Sequence, residues 1–129
     1  MATDAPGRPS GDAAERALES LVTELDRCVA ELTQARERAE SLLRHRRDGR
    51  GWLEIVTGES RPLIVERIST VLASLSAAGH EWRREQAAAL QAEEVSINRI
   101  AAMFGVTRQR ISALLKEPDA DGDPTAAGE

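Results

Sequence analysis

The segment IAAMFGVTRQRISALLKE, residues 100–117, decides how the rest of the chain is read. It holds two apolar patterns of helical spacing, separated by Gly105. Ile100, Ala101 and Phe104 belong to the first, Ile111 and Leu114 to the second, and Val106 lies in the corner. Spacings of three and four residues put such side chains on one helix face. A glycine suits the corner because a positive φ brings no Cβ clash. Ser96 and Thr107 are the expected N-caps of the two helices. The first is predicted to reach Met103 and the second Leu115 or Lys116, before Pro118 stops it. Two short helices around a tight glycine turn make a helix-turn-helix. Ala101 is small where the second helix would cross. The polar residues at the start of that helix are then free to enter a groove.

Working upstream, another helix is expected over 81–94, with Trp82, Ala89 and Leu90 as its core contacts. Together the three helices resemble the DNA-binding module of bacterial regulators. The stretch is most similar to the trihelical modules of DNA invertases and resolvases and to the promoter-reading region 4 of sigma factors. That pattern asks for a small residue four before the turn glycine and apolar residues around it. Ala101, Ile100, Phe104, Val106, Ile111 and Leu114 answer all six positions. The resemblance covers residues 81–116. It departs at Glu93-Glu94-Val95-Ser96, where such modules often carry a glycine. Two acids there would repel phosphate unless they point away.

The resemblance implies double-stranded DNA as partner and assigns contacts residue by residue. Thr107 caps the recognition helix and touches a phosphate. Arg108, Gln109 and Ser112 meet base edges. Arginine can donate twice to guanine, and glutamine can pair with adenine. Arg110, Lys116 and Arg99 reach backbone phosphates, and Asn98, beside the cap Ser96, bonds a phosphate from the start of the first motif helix. The competing reading is a trihelical unit reused for protein contact, with these bases merely solvated.

Net charge is −5, which at first opposes nucleic-acid binding. Its distribution removes the objection. Residues 117–129 carry five acids and no base, so residues 1–116 are neutral. From His80 to Lys116 there are six bases and four acids. Local charge, not the total, governs docking.

Residues 12–47 carry no Gly or Pro. Ala14, Leu18, Leu21, Leu25, Cys28, Leu32, Ala35, Ala39 and Leu42 alternate at spacings of four and three. That is a heptad seam, with 18, 25, 32 and 39 as a-type and 14, 21, 28, 35 and 42 as d-type positions. A helix of this length, ~54 Å, exceeds what a small globule covers. Homodimerisation through Leu18, Leu21, Leu25, Cys28, Leu32, Ala35, Ala39 and Leu42 is therefore expected. Val22, Val29 and Leu43 widen the stripe, which suits a bundle or a coil that also receives a third helix. The alternative is a helix folded back on residues 62–78 of its own chain.

Residues 1–11 read as disordered, and so does the acidic tail 118–129. RHRRDGRG, residues 44–51, ends the long helix with cations suited to its dipole. WLEIVTGES, residues 52–60, is either a strand or a helical turn. Residues 48–79 form a connector. Ser60 and Pro62 should start a helix over 62–78, ended by Gly79.

No apolar run reaches the ~18 residues of a membrane span, and the N-terminus lacks a secretory pattern. A cytoplasmic protein, held at the nucleoid, is expected. Cys28 is the one cysteine; its seam position would permit an interchain disulfide on oxidation. No metal constellation, phosphate-binding glycine loop or acid–base pairing of recognisable spacing is present, so neither catalysis nor a cofactor is expected. The sequence thus predicts an all-α homodimer that binds specific duplex sequences and regulates transcription. The runners-up are a coiled-coil adaptor for a sigma factor or another regulator, and a nucleoid-associated protein.

Overall fold

The computed structural model describes the backbone of residues 9–117 and the side chains of 13–117. The expectations for 1–8 and 118–129 lie outside the described residues; 9–11, expected to be disordered, are helical. All regular structure described is helical: α1 (Pro9–Arg47), α2 (Trp52–Thr57), α3 (Ile64–Ala92), α4 (Ile97–Phe104) and α5 (Arg108–Lys116). Residues 22–77 form one compact unit. Those up to 21 and from 78 onward form the other.

In the first unit α1 and α3 run antiparallel. The pairing is read from side chains: Arg27 Nη2 donates to Ser74 Oγ at 2.7 Å, Cys28 Sγ lies 3.9 Å from Val71 O, and Arg67 reaches Gln34 at 2.9 Å and Glu31 at 3.3 Å. The residues α1 turns toward α3 include Cys28 and Ala35, both buried. Small residues there let the two backbones approach, as in ridge-and-groove packing. Half of the heptad seam is therefore used within the chain, by the folded-back alternative. Leu21 and Leu42 are half-buried, whereas Leu18, Leu25, Leu32 and Ala39 are exposed.

Cys28 is only 2% exposed. Burial pushes its thiol above the usual range, and the adjacent Glu24 carboxylate adds to the effect. Facing Val71, it is not placed for an interchain disulfide. Glu24 itself is held below the usual carboxylate range by hydrogen bonds from Arg27 and Ser74.

Of the two readings left open for the connector, residues 52–57 take the helical one, with Ile55 N–H donating to Gly51 O at 3.0 Å. A lone strand would leave its backbone groups unpaired, and one helical turn satisfies its own. Ser60 does not cap α3. The Glu59 and Glu66 carboxylates accept from Ile64 N and Leu63 N, each at 2.8 Å, so the helix begins at Ile64. The Ser60 and Pro62 carbonyls instead accept from Arg38, at 2.6 and 2.9 Å.

Gly79 does not end a helix either, because α3 runs through it to Ala92. An interior glycine costs about 1 kcal/mol relative to alanine. Stopping and nucleating a second helix costs more.

The second unit contains the helix-turn-helix. Its core is Ala87, Ile100, Ala101, Ile111 and Leu114, with Leu90, Val95, Ile97, Phe104 and Leu115 packed around it. Ile100 and Ile111 are fully enclosed. Ala87 takes the place expected for Ala89 and Trp82, which are half-buried. Val106, expected in the core, remains 38% exposed at the corner.

Candidate nucleic-acid interface

Both corners of the trihelical unit are built alike. After α4, Gly105 takes φ 71°, Val106 N–H bonds Ala101 O at 3.0 Å and Gly105 N–H bonds Ala102 O at 3.3 Å. This is a Schellman C-cap. After α3, Glu94 takes φ 68°, Val95 N–H bonds Leu90 O at 3.0 Å and Glu94 N–H bonds Gln91 O at 2.9 Å. It is the same motif, with a glutamate in glycine's place. Val95 and Leu90 supply the apolar contact that accompanies the motif. The unexpected junction is thus as tight as the glycine corner, at the cost of a Cβ in the left-handed region.

Each corner leads into a capped helix. Ser96 Oγ accepts from Arg99 N and Thr107 Oγ1 from Arg110 N, each at 3.1 Å. Residues 94–100 and 105–111 are consequently an eleven-residue repeat: EVSINRI and GVTRQRI. Each copy places a left-handed residue, a valine, a hydroxyl cap, an arginine in the first turn and a buried isoleucine. The sequence reading missed this repeat, although it lies open in the chain.

Neither α4 nor α5 has an acid in its first turn. Arg99, Arg108 and Arg110 stand there instead, where a helix dipole disfavours cations. All three are exposed, as are Ser96, Asn98, Thr107, Gln109 and Lys116, and Ser112 is half-buried. On α5, Gln109, Ser112 and Lys116 follow the spacing three then four, opposite the buried Ile111 and Leu114. Ala113 is exposed beside them and leaves room for close approach. Arg108 and Arg110 flank this strip on its two sides.

The charge pattern distinguishes two kinds of cation. Arg84, counted among the bases by sequence, is buried and joined to Glu85 at 2.5 Å and Glu81 at 3.5 Å. Arg83, Arg99, Arg108, Arg110 and Lys116 have no carboxylate partner among the described residues. Arg83 lies over the Phe104 ring at 4.2 Å, on one wall of an open cleft of about 280 Å³ that Arg110, Val106 and Leu114 also line. Arg83 was not singled out in the sequence; its place beside α5 depends on how α3 packs. At the cleft edge His80 Nε2 and Glu117 Oε1 are 2.7 Å apart. Glu93 and Glu94 are exposed.

Among the described residues, no group of His, Cys, Asp and Glu is arranged to hold a metal ion, and no helix is long and apolar enough to cross a membrane. No protein-family model, curated protein or solved structure matches the chain.

Proposed function

We propose that the chain binds duplex DNA through α5 as recognition helix, acts as a homodimer and regulates transcription. The observation that carries this reading is the exposed cations in the first turns of α4 and α5, Arg99, Arg108 and Arg110, which have no carboxylate partner among the described residues. Cations at that end oppose the helix dipole, so they cost local stability and are best accounted for by an anionic partner. The outward strip Gln109, Ser112, Ala113 and Lys116 is narrow and polar, which suits a major groove. Arg108 and Gln109 read base edges, while Arg99, Arg110 and Lys116 hold phosphates. One such module buries little surface, and pairing two raises affinity through effective concentration.

The test is selection from random duplexes with the purified chain, followed by anisotropy titration of the winners. Arg108→Ala with Gln109→Ala is expected to erase discrimination between selected and scrambled duplexes, a loss of about 1–3 kcal/mol per base contact. Unchanged discrimination at physiological salt would overturn the assignment. The adaptor reading draws on a different observation, the exposed apolar side chains of α1, and predicts no selected sequence at all.

A further inference from the structure

The hairpin of α1 and α3 in residues 22–77 leaves half of each helix's apolar surface uncovered. On α1 the uncovered half is Val22, Leu25, Val29, Leu32 and Leu43, with Val29 63% exposed. On α3 it is Val65, Ile68 and Leu72. These are not scattered residues. At ~100° per residue, both stripes lie about a quarter-turn from the line along which the helices touch, displaced in the same sense along each chain direction. Because the two helices run antiparallel, that common sense puts both stripes on one side of the hairpin. The result is an open two-helix apolar face, and every helix of a four-helix bundle has this layout: one neighbour beside it and one across.

We propose that a second copy of this chain covers the face, so that two α1–α3 hairpins form a four-helix bundle with α1 of one copy packed on α3 of the other. This specifies the dimer invoked above and replaces the two-stranded seam read from the heptads. The register is self-complementary. The pairs Cys28–Val71 and Glu31–Arg67 set which levels of α1 and α3 face each other. A twofold axis parallel to the helices keeps that register across the interface, and brings Leu25 and Val29 onto Leu72, and Leu32 onto Ile68 and Val65. Arg36, one heptad beyond Val29 and paired with Glu40 at 3.5 Å, closes the α1 stripe at the level where α3 begins. The part of the face where both helices are present, 22–35 on α1 against 64–77 on α3, is ~20 Å long and two helices wide, on the order of 400–600 Å² per partner, the lower end of protein interfaces.

The experiment uses the full chain without DNA. Light scattering after size exclusion should give twice the 14.0 kDa chain mass. Leu32→Glu should weaken the dimer by at least ~30-fold, as expected for a central anchor, with helical circular dichroism retained. Single-cysteine chains Leu32→Cys and Ile68→Cys, each also carrying Cys28→Ala, should form a disulfide with each other on oxidation and little when oxidised separately. A monomer at high micromolar concentration overturns the proposal. Efficient cross-linking of Leu32→Cys chains alone overturns the α1-on-α3 arrangement. Since no duplex is present, either result leaves the DNA reading to be judged by the Arg108 and Gln109 variants.

Discussion

Glu94 carries a backbone conformation that glycine would adopt at no steric cost. Its φ of 68° closes α3 against Val95 and Leu90, which aligns α4 for the second corner. A Cβ in that region costs about 1–2 kcal/mol. Glu94→Gly should therefore raise unfolding free energy by about 1 kcal/mol, after allowance for the added freedom of the unfolded glycine. Urea denaturation checks this, and a fall in stability would mean that the glutamate side chain holds something essential. Arg84 makes the opposite point about residue type. It follows Arg83 in sequence, yet it is buried against Glu85 while Arg83 is exposed. Adjacent arginines on one helix are 100° apart, so one faces the core while the other faces solvent.

At the scale of elements, α3, like α1, contributes to both units. Its residues up to Ala77 pair with α1, and those from Ala78 supply the first helix of the trihelical unit. Gly79 sits within it with open space around the Cα. Gly79→Ala should accordingly stabilise the chain by about 1 kcal/mol, read as a higher Tm. Were Gly79 a left-handed C-cap, the same change would lower Tm, so the measurement decides whether the helix is continuous. The caps of α4 and α5 work more locally. Ser96 and Thr107 each satisfy one backbone N–H that would otherwise lack a partner.

At the scale of the whole molecule, a chain of net charge −5 is proposed to bind a polyanion. The pairing pattern accounts for how. In residues 22–77 six of nine arginines have a carboxylate partner, whereas in residues 78–116 five of the six Arg and Lys side chains have none among the described residues. Binding should weaken steeply with salt, because each phosphate neutralised releases counterions. Lys116→Ala is expected to weaken selected and scrambled duplexes alike and to reduce the salt slope by about one per module. Anisotropy titrations from ~50 to 200 mM salt test this; a loss confined to the selected duplex would reassign Lys116 as a base reader.

The sequence by itself determined whatever short-range rules govern. It determined the all-helical class, the Ser96 and Thr107 caps and the Gly105 corner, which depend on neighbours within about one helical turn, and the Ile100, Ala101, Ile111 and Leu114 core, which the short corner brings together. Tertiary structure decided the rest. It carried α3 through Gly79 and forced Glu94 into glycine's conformation, because the packing of Val95 and Leu90 outweighs one residue's preference. It also divided the heptad stripe of α1, burying Cys28 and Ala35 against α3 and leaving Leu25 and Leu32 outside. Periodicity shows that a helix face is apolar, but only the position of a neighbouring helix decides which half of that face is covered.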